Sequence, residues 1–382
     1  MAKGSRIEIF ANKTGKILAE KICKDMGLCQ DNLKITRFND TEILPEIKES
    51  IRGADVFYIC PFYPDPKSRL VETNLVGDAI NYSFPNRQMM IPTYLGFTRG
   101  DWKPKSRTSI NIRNVAENLE EYWDYVVTFH VHSPQIQGIF RIPFDSFLPL
   151  GIFKEDIESR GIDKGDIAVV APDIGASDYA ELFLNTIGAS SLAIVYKKRA
   201  RPGEAKAIEL IGDVKDKYAI VVDDIIDTGG TIIEAAKICL ERGARDVEVY
   251  ATHGIFSKKI ERINKAERID ATRYIETFSQ DEEDLKEDLQ RVMPDEGFYE
   301  PRVYKIISMD EGEEKLYRSM PAEYLLKESY IKRVVITDTI PRRKHYLEKN
   351  KKWLTQLSVV PMLEELIYRV HNDKSTSNLF KQ

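Results

Sequence analysis

The sequence predicts an α/β protein made of two successive units, each organised around a mostly parallel sheet. Three observations predict it. Short apolar runs alternate with amphipathic stretches of helical period along most of the chain. The alternation runs through two rounds, joined by a predicted connector at Ile142–Gly151. The length, 382 residues, accommodates two domains of ordinary size with a core each.

In the first round, short apolar runs predict strands over Ile7–Ala11, Lys34–Phe38, Val56–Cys60, Gln88–Tyr94 and Tyr125–His130, with helices near Thr14–Met26 and Val71–Ile80. The second round predicts strands over Ile167–Ala171, Leu192–Tyr196, Tyr218–Val222 and Val247–Ala251, with helices over Tyr179–Ile187 and Ile232–Arg242. Open sheets of this kind bind ligands at the carboxyl ends of their strands. From Ser257 to Lys332 the rhythm breaks, and between Glu276 and Glu300 ten acids face only Lys286 and Arg291, the pattern of a solvated face. The second half of this stretch is apolar enough, through Val303, Ile306, Ile307 and Leu316, to predict helix or strand. The rhythm resumes with a strand over Val334–Thr337, a turn at Thr339–Pro341 and a final amphipathic helix from Pro361 to about Val370.

A formal net charge of −5 with 31% charged residues leaves no nucleic-acid footprint. No apolar stretch reaches membrane-spanning length and the N-terminal residues lack a signal-peptide core, so the expected location is the cytoplasm, with neither membrane nor nucleic acid as partner. Cys23, Cys29, Cys60 and Cys239 have no metal-ligand spacing and read as reduced structural thiols.

The most informative segment is Val221–Thr231. An apolar strand runs into Asp223 and Asp224, then into Asp227–Thr228–Gly229–Gly230–Thr231, then into an amphipathic helix. Backbone N–H groups and the positive end of the helix converge on the turn, and Thr228 and Thr231 add hydroxyl donors, which makes an anion cradle. Asp223 and Asp224 would repel a bare phosphate and suit vicinal hydroxyls or hydrated Mg²⁺. A phosphorylated sugar satisfies both halves. The chain has no G-x-x-x-x-G-K-[ST] motif, which disfavours a Walker-type nucleotide site.

This turn resembles the phosphoribosyl-binding loop of type I phosphoribosyltransferases and of ribose-phosphate pyrophosphokinases. Further segments are similar to the second family. His130–Val131–His132–Ser133–Pro134–Gln135–Ile136–Gln137–Gly138 resembles its D-L-H-A-x-Q-I-Q-G stretch, with His130 in place of the usual aspartate. Pro172–Asp173–Ile174–Gly175–Ala176 resembles its P-D-x-G-G loop, although Ala176 replaces a glycine and Asp178–Tyr179 replace a basic neighbourhood. Lys197–Lys198–Arg199 stands fourteen residues before Ile211, where the family carries its catalytic K-R-R loop. Phe38–Asn39–Asp40–Thr41–Glu42 resembles F-S-D-G-E, and Phe97–Thr98–Arg99–Gly100–Asp101–Trp102 resembles Y-A-R-Q-D-K, with Gly100 and Trp102 as departures. The resemblance covers nearly the whole chain, apart from an extra segment of about fifty residues within 258–332.

What the resemblance implies is specific. The fold is two tandem type I phosphoribosyltransferase-like domains: 1–150 on the ATP side, with a C-terminal segment 355–382 packed on it, and 151–354 carrying the sugar-phosphate loop and the insertion. The activity is transfer of the β,γ-diphosphoryl group of Mg·ATP to the C1 hydroxyl of ribose 5-phosphate, giving 5-phosphoribosyl 1-pyrophosphate and AMP for nucleotide biosynthesis. Lys197 and Arg199 are catalytic. Asp223, Asp224, Asp227, Thr228, Gly229, Gly230 and Thr231 bind ribose 5-phosphate. Phe38, Asp40, Glu42, Arg99 and Asp101 bind ATP, the Phe38–Glu42 loop coming from a neighbouring subunit, and His132 and Asp173 hold Mg²⁺. The assembly is a dimer-based homo-oligomer such as a hexamer. Two other classes stay open: a phosphoribosyltransferase that consumes the pyrophosphate product, and a non-catalytic regulatory homologue.

Overall fold

The computed structural model describes residues 6–28, 32–198, 207–263, 275–279, 302–308, 314–377 and 379. Cys29, Arg199 and the acidic run from residue 280 to 301 lie outside the described residues. The chain divides into two compact units: residues 1–156, 337–342 and 356–382, and residues 157–336 and 343–355.

The first unit contains β1 (Ile7–Ala11), α1 (Lys16–Met26), β2 (Leu33–Arg37), β3 (Ile43–Ile47), β4 (Asp55–Ile59), α2 (Pro66–Asn81), β5 (Arg87–Ile91), α3 (Asn111–Leu119), β6 (Tyr125–Phe129), β7 (Phe144–Phe147) and most of α4 (Leu150–Ser159). Its sheet runs β1-β4-β5-β6-β7 and every pairing is parallel. β4 is buried along its whole length, as a central strand covered on both faces must be. Phe57 and Ile59 join the core built with α1 and the C-terminal helix Val360–His371, while Tyr58, which alternates to the opposite face, stacks on Trp123 at 5.5 Å. The predicted connector at Ile142–Gly151 is corrected: it contains β7, whose apolar ends Phe144 and Phe147 are buried while Asp145 and Ser146 are half-buried. Four residues with apolar ends three apart carry no alternation that would set a strand apart from a loop. β2 and β3 form a separate antiparallel ribbon, with β3 against α2.

The second unit contains η-turn residues Lys164–Asp166, β8 (Ile167–Ala171), α5 (Ser177–Ile187), β9 (Ser191–Lys198), β10 (Ala207–Ile211), β11 (Tyr218–Ile226), α6 (Gly230–Glu241) and β12 (Asp246–Gly254). After β12 come β13 (Lys258–Ile263), β14 (Ile275–Ser279), β15 (Arg302–Ser308), β16 (Glu314–Pro321), α7 (Ala322–Lys327), β17 (Arg333–Thr337), α8 (Lys344–Asn350) and β18 (Leu354–Leu357). The large sheet runs β10-β9-β8-β11-β12-β17-β18, parallel from β9 to β17 with β10 antiparallel at one edge. The adjacent strands β8, β11 and β12 are buried through Ile167–Ala171, Ala219–Val222 and Val247–Gly254, as parallel strands under two helical layers are. The extra segment folds into its own sheet, ordered β13-β16-β15-β14. It leaves the large sheet after β12 and returns to it at β17, the neighbouring strand.

Candidate active site

β11 is longer than the apolar run that announces it. It continues through Asp223, Asp224 and Ile225 to Ile226 because β12 keeps pairing with it as far as Gly254, whereas its pairing with β8 ends at Val221. Asp223 and Asp224 therefore sit on a supported strand that extends past its other neighbour. The Asp223 carboxyl accepts the backbone N–H of Asp224 at 2.9 Å. Burial pushes the Asp223 carboxyl well above the usual carboxylate range, the adjacent Asp224 carboxylate pushes it further, and Asp173 adds to the same effect.

Beyond Ile226 the chain turns through Asp227 and Thr228 into α6. Gly229 caps that helix with φ +78°, a left-handed conformation that costs glycine nothing. Thr228 is half-buried and Thr231 is exposed on the first turn of α6. The turn is anchored from β12's far end: Ile255 and Phe256 N–H donate to the Ile226 carbonyl at 3.0 and 3.1 Å, and Ser257 N–H donates to the Asp227 carbonyl at 3.0 Å.

Asp173 stands two residues past the end of β8 and precedes the short helical turn Ile174–Ala176, with extended backbone. Its charge reaches Asp223, so the structure brings Asp173 into the same acidic neighbourhood as Asp223 and Asp224. Tyr179, on the first turn of α5, belongs there too. Its hydroxyl oxygen is buried, and burial raises its pKa, with Thr252 opposing and Asp223 and Asp224 adding to the rise. Its ring meets Phe183 edge-on at 6.1 Å, and Phe183 packs on Tyr250 of β12. In the sequence Tyr179 opens a predicted helix and departs from a basic neighbourhood; its spacing of four from Phe183 on that amphipathic helix is the signal for an inward position. Lys197 lies in β9 with its backbone opposite Ile208 of β10, so the Lys197–Gly203 segment begins within a strand and enters a β9–β10 hairpin connection.

In the first unit, His130 directly follows β6, is 8% exposed, has φ +35° and donates its backbone N–H to the Phe147 carbonyl at 2.9 Å. The histidine that stands where the resembling stretch has aspartate is therefore buried. His132, two residues on, is exposed at the carboxyl edge of the sheet, before the turn Pro134–Gly138. Arg99 is exposed and Asp101 half-buried on the loop between β5 and α3. Gly100 between them has a steric cause: a Cβ there would lie 2.9 Å from the Asn111 Cβ. Phe38, Asp40 and Glu42 form the tip of the β2–β3 ribbon, closed by Phe38 N–H to the Glu42 carbonyl at 2.8 Å and by Glu42 N–H to Asp40 Oδ1 at 3.1 Å. The Phe38 ring is 48% exposed.

For the metal, a hard cation such as Mg²⁺ takes carboxylate oxygens together with substrate oxygens and water, and Asp173, Asp223 and Asp224 bring carboxyl groups within electrostatic reach of one another in the second unit. Among the described residues no group of three or more His, Cys, Asp or Glu side chains could hold a metal ion without such further donors. Cys23, Cys60 and Cys239 are buried and none of the three is in a disulfide. No helix among the described residues is long and apolar enough to cross a membrane.

Two parallel-sheet units, one of them delivering an acidic strand end into a Thr–Gly–Gly–Thr helix start, define an α/β protein of the phosphoribosyltransferase-like class. Residues 7–122 match the model of the N-terminal domain of ribose phosphate pyrophosphokinase, and residues 189–293 match that of the phosphoribosyl synthetase-associated domain. Ribose-phosphate pyrophosphokinase 1 of Spinacia oleracea is 32% identical over 99% of this chain and 93% of its own length. The ribose-phosphate pyrophosphokinase of Agrobacterium fabrum is 38% identical over 66% of this chain and 81% of its own. The crystal structure of phosphoribosylpyrophosphate synthetase from Mycobacterium smegmatis superposes with a TM-score of 0.74 at 27% identity, covering 97% of this chain and 100% of that one. The chain belongs to the ribose-phosphate pyrophosphokinase family.

Proposed function

We infer that the protein is a ribose-phosphate diphosphokinase, transferring the β,γ-diphosphoryl group of Mg·ATP to the C1 hydroxyl of ribose 5-phosphate and releasing AMP. The observation that carries this is β11 itself: one supported strand presents two carboxylates and hands the chain directly to a glycine-capped helix start flanked by threonines, matching a sugar's hydroxyls and its phosphate in one continuous segment. Relatives named for this activity align over nearly the whole chain, which favours it over a phosphoribosyltransferase or a non-catalytic homologue.

In this reading Asp227, Thr228, Gly229, Gly230 and Thr231 hold the 5-phosphate, and Asp223 and Asp224 take the ring hydroxyls directly or through metal. Asp173 and His132 hold Mg²⁺, which when bound supplies charge neutralisation to the polyphosphate. Lys197 and Arg199 meet the transferring diphosphoryl group, whose charge spreads in the transition state. Arg99, Asp101, Phe38, Asp40 and Glu42 bind ATP, the last three from the ribbon tip of a second copy. The exposed position of that tip supports such a contribution. The proposed compartment is the cytoplasm, to be checked by fractionation.

The test is nucleotide chromatography at early time with Mg·ATP, with and without ribose 5-phosphate. AMP should form only with the sugar, and no ADP should precede it. ADP appearing in step with a sugar diphosphate would overturn the assignment.

A further inference from the structure

Both ends of the inserted sheet are attached to the phosphate loop. At the start, Ile255, Phe256 and Ser257 donate the three backbone hydrogen bonds that hold the Ile226 and Asp227 carbonyls, and β13 begins at the very next residue, Lys258. At the finish, β16 ends at Pro321 and α7 begins at Ala322. Leu326 of α7 is 1% exposed, and its Cγ and Cδ2 lie 3.3 and 3.4 Å from the position a Cβ would take on Gly229. Leu326 shares its core cluster with Ile226 and Ile232, the residues on either side of the loop, and with Phe256. The two ends are also tied to one another, because β13 and β16 pair antiparallel from Lys258 opposite Pro321 to Ile263 opposite Leu316.

A Gly–Gly turn has little conformational preference of its own, so its left-handed cap must be imposed by what surrounds it. Here the surroundings are a backbone anchor on one end of the insertion and an aliphatic side chain on the other. An anion cradle works only while its N–H groups converge, and displacement by a fraction of an ångström weakens every one of those bonds together. We propose that Leu326 and the Ile255–Ser257 segment are positioning residues of the phosphate loop, and that the inserted sheet, acting through these two attachments, sets the affinity for the sugar phosphate. The proposal rests on residues 227–231 being the ribose 5-phosphate loop.

Two variants of the full-length protein test it: Leu326→Ala, and a shortened ribbon in which residues 264–313 are replaced by Asn-Gly so that β13 connects directly to β16. Steady-state rates are measured with ribose 5-phosphate and ATP varied separately, alongside calorimetric binding of ribose 5-phosphate. Both variants should raise the KM for ribose 5-phosphate, by about tenfold for Leu326→Ala, while kcat and the KM for ATP stay within about twofold of wild type. Leu326→Met, which refills the space, should restore the wild-type value. Val195→Ala, an equally buried truncation at the far side of the same sheet, should lower the melting temperature without that KM split. Unchanged ribose 5-phosphate KM and binding in both variants would overturn the proposal, as would a Val195→Ala profile indistinguishable from that of Leu326→Ala. If Leu326→Ala fails to fold, the shortened ribbon decides by the same readout. Wild-type protein that releases no AMP on addition of ribose 5-phosphate would refute the functional reading instead, and calorimetry would still show whether the sugar phosphate binds and whether the insertion controls it.

Discussion

Burial, the neighbouring Asp224 carboxylate and Asp173 all raise the pKa of Asp223, so the folded chain holds a proton there that the unfolded chain has already released. Stability consequently falls as pH rises from the ordinary carboxylate range towards that raised value, and is fully recovered only below the ordinary carboxylate range. Asp223→Asn removes this cost. The ligand-free variant should melt higher than wild type at neutral pH, with the difference closing as pH drops through the ordinary carboxylate range, and it should bind ribose 5-phosphate far more weakly. Thermal scans across that pH interval without Mg²⁺ check it; equal melting at neutral pH would refute it. Gly100 makes the opposite case, a departure with a structural cause. Gly100→Gln would push a Cβ to 2.9 Å from the Asn111 Cβ and should cost roughly 1–3 kcal/mol by overpacking, recovered in part by adding Asn111→Gly. Denaturant melts of the single and double variants measure it.

At the scale of the element, the β9–β10 hairpin is the antiparallel edge of an otherwise parallel sheet. Lys197 lies in that hairpin, opposite Ile208 of β10. That arrangement suits a cationic segment which must meet a polyphosphate and then release product. Lys197→Ala and Arg199→Ala should each lower kcat by about a hundredfold, equivalent to about 3 kcal/mol, with much smaller changes in KM. Near-normal turnover in both would remove this loop from the chemistry. The β2–β3 ribbon is built on the same plan, with Asp40 closing its own tip by accepting the Glu42 N–H and the Phe38 ring left half out in solvent.

For the whole molecule, the proposed contribution of the ribbon tip to the ATP site of a second copy predicts that function is shared between copies. Asp40→Ala and Lys197→Ala chains, each inactive alone, should regain activity when mixed under subunit exchange, because one arrangement of the pair assembles an intact ATP site. Activity of a monomer at assay concentration, measured with light scattering on the same sample, would contradict this. The insertion is a further feature at this scale: it joins two adjacent strands, β12 and β17, so the large sheet closes around its point of departure without loss of register.

By itself the sequence determined the α/β class, the order of the parallel strands' apolar runs, the loop at Asp223–Thr231 and the family, because each of these is local: a short apolar run, a helical period, or a motif in which chemistry demands particular residues at fixed spacing. Weakly periodic elements such as β7 and β3 were not legible, since four or five residues at a sheet edge carry too little alternation to differ from a loop. What only the tertiary structure decided was which distant residues meet. That β11 runs on to Ile226 depends on β12 continuing beside it, that the His130 backbone is held depends on the Phe147 carbonyl, and that Gly100 is glycine depends on Asn111. Leu326 is one more leucine of an amphipathic turn until packing sets it against Gly229, nearly a hundred residues away in the chain. Contacts of that kind follow from the closing of the sheet around its core, and no local pattern of residue types encodes them.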